Sequence, residues 1–352
     1  MIKFAGRFLV AFLLMSLVAA AGAQALTIDI DPGSGLSGNA AALAAFNQAA
    51  NQWASHFSDP ITVTIKADLT DMHSTTIIGL TSPVLLMSDY NTIRNAVVSD
   101  ALLDWGDAIA AALPTKDHFS ALVPTGFGLA DGLYGTKADL KALGFTGLDS
   151  TFGLSDADMT FNSGFAFDYY RGDGITPGTI DFETVAAHEI GHVLGFVSSV
   201  DLVEGYLKAG QTWNIIPSTL DLYRFWDGSS YDPATIAEFT TDPRNLVPGY
   251  AAVFDDLTHE WAMSTGAYYG DGNQASHWKD NGLTGFLIGL MDPTLAYGQI
   301  INLTEADLRA LDLIGYDTRR VPLPTSILLL GTGLACLAIF QRRSQTRAGS
   351  GA

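Results

Sequence analysis

Cysteine is almost missing: one residue, Cys336, in 352. No internal disulfide can form, so a small scaffold stapled by bridges is excluded and stability must come from core burial. Basic residues are also scarce, 18 Lys and Arg against 37 Asp and Glu, for a formal charge of -19. A surface of that sign repels nucleic acid and anionic membranes, keeps an exported protein soluble, and eases the approach of neutral or basic substrates over acidic ones. No fixed-period repeat and no linker is visible. Residues 26–320 suffice for one large domain or two subdomains, and abundant Gly, Asn, Ser and Asp punctuate short elements, as in loop-rich secreted proteins.

Asp and Glu are absent from both ends, and each end has its own pattern. Lys3 and Arg7 precede an apolar run from Phe8 to Ala20 broken only by Ser16, and small residues follow at Ala21-Gly22-Ala23 and Ala23-Gln24-Ala25. Residues 1–25 thus read as a secretory signal peptide, cleaved before Gln24 or before Leu26. At the other end Val321-Pro322-Leu323-Pro324-Thr325 leads into an apolar run from Ser326 to Phe340, closed by Gln341-Arg342-Arg343. Counted from Val321 this is a transmembrane length with arginines on its retained side, which predicts a C-terminal anchor over 321–352 and no other contact with a membrane. The tail resembles the PEP-CTERM sorting signal of Gram-negative bacteria, with Leu323 where that motif carries Glu. The resemblance implies processing by an exosortase-type enzyme and a cell-surface or extracellular destination. Without both ends the chain keeps 13 basic and 37 acidic residues, a formal charge of -24.

The densest chemistry lies in Glu183-Thr184-Val185-Ala186-Ala187-His188-Glu189-Ile190-Gly191-His192-Val193-Leu194-Gly195. Histidines at i and i+4 of a helix point the same way and can share one cation, here zinc, and a catalytic zinc keeps three protein ligands. Glu189 is placed to take a proton from water and pass it to a leaving amine, which is peptide hydrolysis without a covalent intermediate. Asp181 is a plausible N-cap, Glu183 suits the first turn, Val185, Ala186, Ile190, Val193 and Leu194 supply packing, and Gly195 can end the helix.

The stretch His188 to Gly195 resembles the metzincin metalloprotease motif, in which a third His follows three residues after the glycine. Here that position is Ser198, a poor zinc ligand, so a third must come from elsewhere: His259, His277 and the carboxylate of Asp201 are the candidates, with water alone as a further possibility. In leishmanolysin-type metzincins a long insertion displaces the third His, and a methionine turn follows it. His277 in Ala275-Ser276-His277-Trp278-Lys279, and Met291 fourteen residues later in Gly289-Leu290-Met291-Asp292-Pro293, look similar. The resemblance therefore implies His277 as third ligand, Met291 as turn residue, and Gly195 and Met291 as structural members of the site. It extends to about Asp317 through a helix in which Thr304 and Asp307 approximate a capping box and Gly315 is the stop. Leishmanolysin-type enzymes are rich in disulfides and this chain is not. With no cysteine in the exported part, no propeptide thiol can cap the metal, as happens in some metzincins.

The fold the resemblance implies is α+β: an N-terminal subdomain over 26–197, with a twisted mixed sheet and the active-site helix at the cleft, and an irregular, mostly helical C-terminal subdomain over 198–320. Apolar spacing predicts a helix from Asn39 to Trp53, a strand from Ile61 to Ile65, a helix from Tyr90 to Leu113 that includes Trp105 on its packed side, and an edge strand from Met159 to Tyr170. In metzincins such an edge strand pairs with an extended polypeptide substrate.

Fainter signals are Asp173-Gly174, Asp271-Gly272-Asn273 and Asp280-Asn281-Gly282, which could hold calcium through oxygen ligands but lack EF-hand spacing and read better as tight turns. Tyr297 could donate to an oxyanion, although a packed aromatic is the expected reading. His56, His73 and His118 are isolated and read as ordinary surface or core histidines. The function expected is a secreted or cell-surface zinc endopeptidase. The alternative is a catalytically silent matrix or adhesion protein on a metzincin-like scaffold, for which an intact Glu189 has no use.

Overall fold

A computed structural model describes residues 25–102 and 107–319. The expected leader before Ala25, Trp105, and the tail from Val321 with Cys336 lie outside the described residues. The architecture is α+β, and the described residues through Thr318 form one compact unit.

Alternating apolar residues build the sheet. Val63, Ile65 and Ala67 of Thr62–Thr70, and Ala157, Met159 and Phe161 of Ala157–Asn162, turn to the core. Thr27–Pro32 pairs in parallel with Thr62–Thr70, which pairs in parallel with Ala157–Asn162; Gly79–Pro83 runs antiparallel along the outer side of Ala157–Asn162. Parallel neighbours require a crossover, and the helix Ala40–Ala54 supplies the first. Its N-cap, Asn39, accepts from Ala42 N at 3.1 Å. Phe46, Ala49, Ala50 and Trp53 are its buried side. Phe46 meets Phe161 edge-on at 5.2 Å, and Trp53 Nε1 donates to the Ala187 carbonyl at 2.8 Å. The first helix is thereby fastened to the helix Phe182–Leu194, which carries the two motif histidines.

Several sequence expectations need correction. The predicted edge strand Met159–Tyr170 is Ala157–Asn162 and lies inside the sheet; a separate pair, Phe167–Asp168 with Ile180–Asp181, follows it. The true edge is Gly79–Pro83, a Gly-Leu-Thr-Ser-Pro segment with little strand signal, whose proline has no N–H to offer a further strand. The strand expected at Ile61–Ile65 runs Thr62–Thr70. The helix expected to Leu113 stops at Ala101, and Ala108–Ala112 forms a separate 3-10 turn just after Asp107, whose carboxylate pairs with Arg309. Beyond Ser198 the chain is irregular rather than mostly helical. Arg224–Phe225, Ala252–Asp255 and Glu260–Met263 form an antiparallel sheet backed by Phe254, Trp261 and Trp278, with ring centroids 6.0–6.3 Å apart.

Around the end of the closing helix, Glu305–Ile314, carboxylates crowd together. Burial, reinforced by Asp317, Asp59, Asp107 and Asp312, raises Asp100 to about 8. Asp59 and Asp107 rise to about 7, again chiefly through burial. A carboxyl whose folded value is raised contributes stability that is complete below the ordinary value of 3.8 and disappears as pH climbs through about 8. Asp100→Asn is therefore expected to raise the melting temperature modestly at about pH 5 and much more at about pH 9. Equal shifts at both pH values would refute this account of the cluster.

Candidate metal centre

The histidine helix starts where Asp181 accepts from Thr184 N at 3.1 Å and ends at Gly195, whose φ of 136° suits glycine. Within it His188 and His192 face one cleft. The hairpin that follows Glu260–Met263 brings His277 to the same point. His188 Nε2 and His192 Nε2 stand 3.1 and 3.3 Å from His277 Nε2, and the three side chains form a group that could hold a metal ion.

The outer nitrogens settle what the inner ones can do. His188 Nδ1 lies 2.9 Å from the Leu290 carbonyl, His192 Nδ1 2.7 Å from that of Phe196, and His277 Nδ1 3.1 Å from that of Gln274. A carbonyl only accepts, so each Nδ1 carries the proton and each neutral ring turns a bare lone pair inward. Three lone pairs aimed at one another cannot hydrogen-bond; they repel unless a cation lies between them. Ligands at the zinc–imidazole distance in a tetrahedron stand about 3.3 Å apart, the spacing found here. Burial and the neighbouring imidazoles push His192 down to about 3 and His277 well below its ordinary value, which keeps these two rings neutral and able to ligate.

Glu189 is 7% exposed and opens to the same cleft. Burial raises its proton affinity, and His188 partly offsets this. Across from it is the edge strand: a Cβ on Gly79 would come within 2.6 Å of Glu189 Oε1, so a larger residue there would push the carboxylate from its present position. Met291 is fully buried beneath the helix, and a Cβ at Gly191 would overlap its sulfur. Sequence reading missed the roles of Gly79 and Gly191. A glycine in mid-helix costs about 1 kcal/mol against alanine, and for Gly191 that was the available signal.

The turn around Met291 is held by one carboxylate. Asp307 accepts from Leu290 N at 2.7 Å, Met291 N at 3.2 Å, Trp278 Nε1 at 2.8 Å and Thr304 N at 2.8 Å. The last of these is half of the capping box that starts the closing helix. Trp278 N also donates to the Met291 carbonyl at 3.0 Å, so the residue after His277 is bonded to the methionine turn directly.

The other candidates lie elsewhere or are engaged. Asp201 lines the cleft, but its oxygens accept from Ala275 N at 2.6 Å and Ser276 N at 3.2 Å. Ser198 caps the next helix and donates to Asp221 at 2.7 Å. His259 stacks on Trp261 with 5.0 Å between centroids, outside the cluster. His56 contacts the Gln52 carbonyl, His73 is exposed beside Asp71, and His118 borders a surface hollow near Arg94. Tyr297 is 62% exposed rather than packed. The Asp-Gly segments are turns, with φ of 93° at Gly174 and 98° at Gly272, and Asp280 caps the short helix Asn281–Thr284. A second acidic group, Asp227, Asp232 and Glu260, stands close enough to share a cation, but it is largely solvent-exposed, where such groupings are common without one.

The histidines and Glu189 form the floor of a cleft of about 560 Å³, with Gly79, Leu80, Thr81 and Pro83 along one wall. Among the described residues no helix is long and apolar enough to cross a membrane. Compared with protein-family models, curated proteins and solved structures, the chain matches none. A functional reading must therefore rest on the site itself.

Proposed function

We propose that this chain is an exported zinc-dependent endopeptidase of metzincin-like build, with His188, His192 and His277 as zinc ligands and Glu189 as general base. One observation carries the reading: three imidazole lone pairs converge at tetrahedral spacing, each fixed by a carbonyl behind it, with a buried carboxylate one residue beyond the first of them. The leader and the PEP-CTERM-like tail support the export half of the proposal.

When bound, zinc supplies a Lewis acid that polarises the scissile carbonyl and eases the ionisation of water. Glu189 takes the proton of the attacking water; burial has raised its proton affinity, so it holds that proton until the leaving amine needs it. The unpaired edge of Gly79–Pro83 faces the cleft and offers main-chain hydrogen bonds to an extended polypeptide. Substrate would add to the sheet as a strand with its scissile bond over the histidines.

The purified protein is expected to carry about one zinc per chain and to hydrolyse casein or a peptide library. A chelator should abolish cleavage and added zinc should restore it. A protein that neither binds zinc nor cleaves any peptide would refute the proposal.

A further inference from the structure

His277 rides on a hairpin whose arms are anchored by buried Ala275 and Trp278 but whose tip has little side-chain burial to hold it. Bridges Met263–Trp278 and Gly266–Asn273 mark its two arms. Its tip reads Gly266-Ala267-Tyr268-Tyr269-Gly270-Asp271-Gly272, and both tyrosines are more than half exposed. Its main chain is gripped instead. Glu204 accepts from Ala267 N at 2.6 Å, Tyr268 N at 3.0 Å and Tyr269 N at 2.7 Å. Asp201 accepts from Ala275 N at 2.6 Å and Ser276 N at 3.2 Å. The buried guanidinium of Arg224 donates to the Ser264 carbonyl at 2.8 Å and the Ala275 carbonyl at 3.3 Å.

Asp201 and Glu204 are three apart on the helix Ser199–Lys208 and so share one face. Hydrogen bonds to a carboxylate are roughly twice as strong as neutral ones, which suits a loop whose tip is exposed. Gly266 shows how closely the parts are fitted: with φ of 134° it has a conformation that L side chains rarely adopt, and a Cβ there would collide with Glu204. The same helix follows directly on the segment whose Phe196 carbonyl fixes His192. Second and third ligands are thus referenced to one stretch of chain.

We propose that Asp201, Glu204 and Arg224 are positioning residues for the third metal ligand, pinning the main chain from Ser264 to Ser276 and so fixing His277 Nε2 against His188 and His192. This rests on the zinc reading above and adds to it what sets the affinity. Without the two carboxylates five amides lose their acceptors, and His277 samples positions from which it cannot close the triad.

The test uses the whole protein, with Asp201→Asn and Glu204→Gln made alone and in a His277→Ala background. Zinc affinity is read by chelator competition, and amide exchange is read on zinc-free protein. Each single variant should lower zinc affinity about 10–100-fold, as loss of outer-shell support does elsewhere, and neither should lower it further once His277 is gone. Exchange should quicken at residues 267–269 in Glu204→Gln and at 275–276 in Asp201→Asn. Asp201→Glu keeps the charge, and should bind zinc more tightly than Asp201→Asn even if the latter folds poorly. An equal loss of affinity with and without His277, or unchanged exchange at these amides, overturns the proposal. If the wild type binds no zinc, the enzyme reading fails on its own account, and the exchange result still decides whether the carboxylates hold the hairpin.

Discussion

Glu189→Gln is expected to lower peptide hydrolysis by about 10²- to 10⁴-fold, the usual contribution of a positioned general base, while zinc content stays at the wild-type level. The substitution keeps the shape of the side chain, so the close passage of Gly79 is undisturbed and no cavity opens. What it removes is the ability to hold a proton. Stability should be maintained or should rise, because burial disfavours the ionised carboxylate that Gln replaces. The measurement is kcat/KM on a fluorogenic peptide beside metal analysis of the same sample. Hydrolysis that survives the change would show that another group moves the proton. A loss of zinc or of fold would make Glu189 a structural residue. A silent scaffold predicts a third pattern, no cleavage by wild type or variant.

Legibility in the sequence followed what each residue type can reveal. The histidine helix was plain because cap, apolar spacing, ligand spacing and terminal glycine all fall within fifteen residues and all depend on side chains. His277 and Met291 are far from that helix in the chain, and only likeness to a family pointed to them. The carbonyls of Leu290, Phe196 and Gln274, which orient the three imidazoles, could not have been read at all, since every residue has a carbonyl. Asp201 exposes a deeper ambiguity. A carboxylate soon after the motif suits a metal and suits backbone amides equally well, and only the placement of Ala275 and Ser276 separates the two. The strands were misjudged for a related reason: hydrophobic alternation reports burial, so it singled out the interior strand Ala157–Asn162 and passed over the half-exposed edge at Gly79–Pro83.

Asp307→Ala is expected to destabilise the fold by about 3–5 kcal/mol, although Asp307 touches neither metal nor substrate in the proposed reaction. Its carboxylate is buried and receives five donors, the indole of Trp278, the amides of Leu290, Met291 and Thr304, and the Thr304 hydroxyl. Each buried donor left without a partner costs about 1–3 kcal/mol, and water entering the vacated space would recover part of the sum. A Cβ on Gly289 would overlap the same carboxylate, so the turn packs directly against it. The damage should spread unevenly. The Leu290 carbonyl orients His188, the Met291 carbonyl receives Trp278 N beside His277, and the Met291 side chain lies under Gly191. Zinc affinity should therefore fall along with stability, whereas an equally destabilising change at Tyr223, whose hydroxyl bonds the Leu313 carbonyl at 2.9 Å, should lower stability alone. Asp307→Asn keeps one acceptor oxygen but sets an amide N–H₂ against N–H donors, and should fall between wild type and Asp307→Ala. Chemical denaturation with zinc titration of the folded protein reads both effects. A loss below about 1 kcal/mol, within the range of a single ordinary hydrogen bond, would mean that the turn is held by packing and that the carboxylate is incidental to it.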